Sequence, residues 1–212
     1  SHSPLSLDLY VADAMTGRIQ RKLISTAADP HFDSLQFISS AGAWDPTGRR
    51  LAIAAIREGE PVIAIYNVDN GDREREIALG EGIDEVFHPA WSPDGRQIAF
   101  SGLGGGYSDL WVVDLESTNV RKLTTDAFAD LQPSWSPDGR RLVFATDRFS
   151  SSLEALEFGE YELGVIDVAS GRATRLPTFD GAGHNSPQWT RDNNIYFIAY
   201  PEGIPDVFRV SA

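Results

Sequence analysis

The chain has 212 residues, a formal net charge of −13, 42% hydrophobic and 10% aromatic residues, and no cysteine. A carboxylate surplus of this size repels phosphate backbones and anionic headgroups, so neither a nucleic acid nor a membrane surface is expected as partner. Disulfides are excluded, and no apolar run is long enough to cross a bilayer, so membrane insertion is not expected.

In chain order, Leu9-Tyr10-Val11-Ala12-Asp13 closes a strand that starts near residue 5, and Arg18-Ile19-Gln20-Arg21-Lys22-Leu23 opens a more polar one that runs to about residue 25. A long connection, 26–41, follows. Sets of four strands are then predicted near 42–79, 89–124 and 133–176, and a set of three from 187 to the last residue. Within each set the first two strands flank a turn: Asp45-Pro46-Thr47-Gly48, Ser92-Pro93-Asp94-Gly95, Ser136-Pro137-Asp138-Gly139 and, more loosely, Thr190-Arg191-Asp192-Asn193. Proline pre-sets φ at the first central position, Asp bonds its own backbone, and Gly takes a positive φ without strain. The runs after these turns, such as Leu142-Val143-Phe144-Ala145, are continuously apolar, as strands covered on both faces must be. Strands three and four are joined by a second stereotyped turn, in which Gly17, Gly71, Thr118 and Gly171 each stand four residues past an Asp or Asn.

The tryptophan ahead of each Pro-containing turn sets the period. Trp44, Trp91, Trp135 and Trp189 are separated by 47, 44 and 54 residues. A period in this range with four short strands per unit is the signature of propeller blades, and the Val, Ile and aromatic runs rule against helical repeats. The expected fold is therefore all-β: a β-propeller of four-stranded antiparallel blades, about four blades plus a partial one, with seventeen strands in a single domain. An arc of a larger ring is the simplest reading; a homodimer completing one ring and a small closed ring are the alternatives.

The text Trp-Ser-Pro-Asp-Gly-Arg followed by an apolar strand, then Asp109-Leu110-Trp111-Val112-Val113-Asp114 and Arg121-Lys122-Leu123-Thr124, resembles the TolB-like, WD-repeat-related propeller family. The resemblance is close over 89–124 and 133–176 and looser over 42–79 and 187–210. It implies a bacterial envelope or secreted location, periplasmic or extracellular. The functions it implies span envelope scaffolds, propellers that gate serine peptidases or accompany metallopeptidase-like domains, and a few sugar lyases.

Loop length points to the functional end. Connections between strands two and three and between blades share one end of a propeller, and here they are long and varied: 26–41, 80–88, 102–108, 147–160 and 177–186. Varied loops on a rigid frame are where binding usually resides. Candidate contact residues at that end are Phe87, His88, Asp130, Phe149, Phe158 and His184, although polar residues before inner strands also serve to bond loop backbone and cap strand ends. Gly102-Leu103-Gly104-Gly105-Gly106-Tyr107 lacks the Lys and the following helix of a phosphate loop and reads as a flexible connector. Ser151 or Ser152 is expected to cap a short helical turn whose Leu153, Leu156 and Phe158 either tuck against the neighbouring blade, the favoured reading, or offer a partner contact. No cofactor or metal is called for by the spacing of His and carboxylates, and no Gly-x-Ser-x-Gly or His-Glu-x-x-His occurs. Asp94 and Asp138 recur with the blade, which marks them as structural. The expected function is non-catalytic binding of a protein or peptide through the loop end; the alternative is an accessory propeller that gates substrate for a peptidase or hydrolase domain elsewhere in the protein.

Overall fold

A computed structural model describes residues 8–25, 31–35, 40 and 42–212 of the chain. The predicted start of the first strand near residue 5 and most of the 26–41 connection lie outside the described residues. Strands β1 (Asp8–Ala12) and β2 (Ile19–Ser25) form an antiparallel pair. In the next sheet, the short β3 (Ser34–Leu35) and β4 (Ala43–Trp44) both pair with β5 (Arg50–Arg57), followed by β6 (Glu60–Asn67) and β7 (Arg73–Ala78). Two regular four-stranded sheets come next. The second full blade holds β8 (Glu85–Trp91), β9 (Gln97–Gly104), β10 (Tyr107–Asp114) and β11 (Val120–Lys122); the third holds β12 (Asp130–Trp135), β13 (Arg141–Thr146), β14 (Glu162–Asp167) and β15 (Ala173–Arg175). The last sheet has β16 (His184–Trp189), β17 (Asn194–Ala199) and β18 (Asp206–Ser211). Every pairing is antiparallel and, apart from that of β3 with β5, joins strands consecutive in the chain; no helix occurs among the described residues. This is the expected architecture, a partial β-propeller of four-stranded blades.

The continuous apolar runs are explained by where alternate side chains go. On β5, Ala52 and Ala54 face the second full blade, while Leu51 and Ile53 face the β1–β2 pair. On β9, Ile98 and Phe100 point back to the preceding blade and Ala99 points forward. On β13, Leu142 and Phe144 point back and Val143 forward. The core is thus a series of slabs between sheets, and each inner strand contributes to two of them. Phe100 and Phe144 are fully buried, and each such ring removed from water contributes about 1.5–3 kcal/mol. Phe144 lies over its cross-strand partner Gly164, where a Cβ would sit 2.7 Å from the ring.

A second link runs along the inner strands. Trp91 Nε1 donates to the Ala43 carbonyl at 3.1 Å and Trp135 Nε1 donates to the Ala90 carbonyl at 3.0 Å, each reaching the preceding blade. Arg50 and Arg141 each lie 4.8 Å over the tryptophan ring of the following blade, Trp91 and Trp189. Trp91 and Trp135 are therefore wedges between blades, with their polar edge satisfied by the neighbour.

Both turn families form as their residues require. In the first-to-second turns, Gly95 N–H donates to the Ser92 carbonyl and Gly139 N–H to the Ser136 carbonyl, both at 2.9 Å. Asp94 and Asp138 accept from the serine hydroxyl at 2.6 Å and from the Arg96 or Arg140 amide at 3.0 Å. In the third-to-fourth turns, Gly17, Gly71, Thr118 and Gly171 all have positive φ and donate to the carbonyl of the closing Asp or Asn.

Two local expectations are overturned. The glycine run 102–106 is not a flexible connector: β9 and β10 pair to Gly104 and Tyr107, leaving only Gly105-Gly106, both at positive φ, as a tight turn. The other glycines serve contact, because a Cβ on Gly102 would strike the Trp111 ring at 2.8 Å and one on Gly104 would overlap the Gly82 carbonyl. Residues 151–158 form no helix. Ser152 and Glu157 instead close a turn on themselves through two backbone hydrogen bonds of 2.8 and 3.0 Å.

Phe144→Ala should lower the unfolding free energy by about 3–5 kcal/mol in urea titrations, whereas Phe158→Ala, on an exposed ring, should change it by less than about 0.5 kcal/mol. Equal losses would contradict the slab arrangement. Asp138 is held below the usual carboxylate range, chiefly by the Ser136 hydroxyl and then by the Arg140 amide. Its contribution is present above the unfolded-state value near pH 4 and is lost as pH falls through the lower folded-state value. Asp138→Asn should therefore melt below the wild type at pH 7, and the gap between the two melting temperatures should close as pH falls below about 4.

Candidate functional site

Up-and-down connectivity puts the first-to-second and third-to-fourth turns at one end of every blade and the remaining connections at the other. At the loop end the second-to-third connection is the variable one. It is Glu58-Gly59 in the first full blade and Gly105-Gly106 in the second. In the third it expands to residues 147–161, and in the last sheet it spans 200–205.

The 147–161 excursion is built as a sealed neck with an exposed tip. Asp147 Oδ1 accepts from the Ala129 amide at 2.8 Å, which anchors the start to the preceding inter-blade loop. Ser150 Oγ donates to the Glu160 carbonyl, Ser151 Oγ accepts from the Gly159 amide at 2.9 Å, and Ser152 pairs with Glu157. Leu153 and Leu156 beyond that neck, and Phe158 on its returning arm, are solvent-facing, with Leu156 79% and Phe158 85% exposed. The expectation that they tuck against a blade is therefore incorrect: the serine bonds close the neck locally and leave the apolar tip outside every core slab. Glu154, Glu157 and Glu160 are exposed beside them.

The six candidate residues separate by depth. Phe158 is at the exposed tip and Phe149 is half-buried at the base of the same loop. Phe87 and His88 are half-buried on β8, their rings 6.2 Å apart, and His88 lines the cavity along the propeller axis. Asp130 and His184, expected at the surface, are buried beneath it. Asp130 forms an ion pair with Arg148, which also reaches Asp126 at 2.9 Å and stacks over Phe128 and Phe144. Burial raises the Asp130 carboxyl pKa, a shift opposed by the Arg148 guanidinium. His184 bonds Thr178 Oγ1 at 2.8 Å and the Tyr161 carbonyl at 3.2 Å, with its ring 5.4 Å from Phe197 and 6.2 Å from Phe179. Their roles are to hold the loop base, which is the strand-capping alternative weighed for such residues. Among the described residues no group of three or more His, Cys, Asp or Glu is placed to hold a metal.

The inner strands enclose an axial cavity of about 780 Å³. Three of these strands carry the same bulge, in which the residue before a proline takes a positive φ: His88 (50°), Gln132 (57°) and Ser186 (51°). All three bulge amides are bonded across the blade boundary: His88 N–H to Ser40 Oγ at 2.6 Å, Gln132 N–H to Ser101 Oγ at 3.0 Å and Ser186 N–H to Gln132 Oε1 at 2.6 Å. Sequence reasoning did not single out Arg191 on the cavity wall, although the signal was present. It stands where the other three turns have Pro46, Pro93 and Pro137.

The sequence model of the TolB beta propeller domain matches residues 34–154, more than half of the chain. The chain belongs to this family. A Tol-Pal system protein TolB from Anaeromyxobacter dehalogenans is 37% identical over 89 residues, covering 42% of this chain and 20% of that protein. Dipeptidyl-peptidase 5 from Porphyromonas gingivalis is 30% identical over 220 residues, covering 96% of this chain and 28% of that protein. Among solved structures, TolB from Acinetobacter baumannii superposes with a TM-score of 0.71 at 21% identity, covering 96% of this chain and 46% of that one. The chain thus spans less than half the length of each of these relatives. The family-level expectation and the propeller fold are both met.

Asp130→Ala should destabilise the protein by about 3 kcal/mol, at the low end for a broken buried pair because Asp126 still faces Arg148. It should also speed proteolytic cleavage within 153–158. Unchanged cleavage would separate the ion pair from the loop base.

Proposed function

We propose that this propeller is a non-catalytic binding scaffold that takes a protein or peptide partner at its loop end. The observation that carries the reading is the 147–161 excursion: three apolar side chains, Leu153, Leu156 and Phe158, held in solvent on a neck closed by the chain's own hydrogen bonds. Apolar groups presented on an ordered support, with a polar rim of Glu154, Glu157 and Glu160, have the composition of an interface core and its surround. Phe158 makes the contact, Phe87 and His88 extend it toward the axis, and Phe149, Asp130 and His184 hold it from beneath. The family resemblance and the match to a Tol-Pal system protein support a bacterial periplasmic location.

A second reading is favoured by one observation, the similarity to dipeptidyl-peptidase 5 along 96% of the chain. There the same loop end would face a hydrolase domain of the same polypeptide and gate its substrate. A full reading frame encoding Gly-x-Ser-x-Gly or His-Glu-x-x-His beyond this propeller would support it.

The test places a photo-crosslinking amino acid at Phe158 and, as control, at Asp94 on the short-turn end, in the full-length protein in its own cells. Discrete adducts are expected from position 158 and not from 94. Equal adducts from both ends would sink the assignment, and adducts formed only within the same polypeptide would favour the gating reading.

A further inference from the structure

We propose that Arg191 makes the short-turn end of the axial cavity a binding site for a small organic anion. The argument rests on the one place where the repeat is broken along the axis. Pro46, Pro93 and Pro137 occupy the same turn position in three blades and all line the cavity; in the fourth the position is Arg191, and it lines the cavity too. The turn itself is preserved, since Asn193 N–H donates to the Thr190 carbonyl at 3.0 Å as Gly95 does to Ser92 at 2.9 Å. The exchange therefore changes the side chain and not the turn.

The surroundings of that turn are rebuilt to suit. Trp91 and Trp135 reach back to the preceding blade, whereas Trp189 Nε1 donates within its own turn, to Asn193 Oδ1 at 3.0 Å. Asn193 holds the positive φ (62°) that glycine holds in the other turns, a conformation Asn tolerates better than most residues.

The charge of the cavity decides the ligand class. The chain carries −13 overall, yet among the described residues no Asp or Glu lines the cavity, and Arg191 and His88 are the titratable groups that do. Arg191 forms no ion pair among the described residues; its one hydrogen bond is a long one, 3.5 Å, to the Pro46 carbonyl in the first full blade. A guanidinium without a carboxylate is matched by an anion, which it can grip through two parallel N–H donors. The rest of the wall combines prolines, alanines and four tryptophans, among them the half-exposed ring of Trp44, with the polar side chains of Gln132, Ser134, Ser186 and Gln188, so a flat apolar body can lie on the rings while its polar groups meet amides and hydroxyls. The ligand is accordingly one carboxylate or phosphate on a compact aromatic or aliphatic frame. The site is at the opposite end from the 147–161 loop, so its test is independent of the partner-binding reading.

Calorimetric titration of the full-length protein with benzoate, benzamide and phenyl phosphate tests it. Benzoate or phenyl phosphate should bind saturably at one site, with the neutral benzamide at least tenfold weaker. A tenfold preference between the two anions would assign the carboxylate or the phosphate source. Arg191→Pro, which restores the repeat, should weaken anion binding at least tenfold with no fall in melting temperature. Benzamide binding as tightly as benzoate, an Arg191→Pro variant that keeps wild-type affinity, or no saturable binding of either anion would overturn the proposal. If Arg191→Pro does not fold, the benzoate–benzamide comparison on the wild type decides alone.

Discussion

Burial of both faces of every blade is the constraint on which the rest of the structure depends. A single four-stranded sheet of this size leaves half its apolar side chains in water. Stacking sheet on sheet removes them, and strict alternation on β5, β9 and β13 divides each strand between two slabs. No blade owns its core, so cohesion passes between neighbours in the manner of repeat arrays. The tryptophan wedges follow from the same geometry. At the boundaries before the second and third full blades a large flat side chain fills the gap, and its indole N–H finds a carbonyl on the inner strand of the preceding blade.

With the slabs fixing the blades, the two ends are free to differ. The short-turn end keeps one turn geometry because the same backbone demand recurs there, met by Pro and Gly in three copies and by Arg191 and Asn193 in the last. The loop end carries no such demand. There, two residues join β5 to β6 and β9 to β10, while a long excursion joins β13 to β14. The chain carries a net charge of −13, yet among the described residues no carboxylate lines the axial cavity.

The sequence made legible what repeats. Blade order, both turn families and the two-faced strands could be read from it because local chemistry and tertiary environment agree at those positions. Contacts that depend on a distant neighbour could not be read. Gly102 and Gly104 look like loop residues until the Trp111 ring and the Gly82 carbonyl are seen against them. Leu153, Leu156 and Phe158 have helical spacing, but no surface lies where a helix would bury them, and hydrogen bonds of Ser150, Ser151 and Ser152 take over. Asp130 and His184 were expected ahead of inner strands; they are instead the first residues of β12 and β16, and their depth is set by Arg148 and by Phe179 and Phe197. Arg191 was hidden by being read as a decayed copy of a proline, when the departure itself carried the information.

The neck of the 147–161 excursion has an evolutionary consequence. Its serine bonds close the loop before the tip begins, and no slab draws on Leu153, Leu156 or Phe158. Mutation at the tip is therefore shielded from selection on folding, and insertions there leave the strands on either side in register. A lineage can exchange this tip for another while keeping the propeller that carries it, so diversity among relatives should concentrate within a few residues of Phe158.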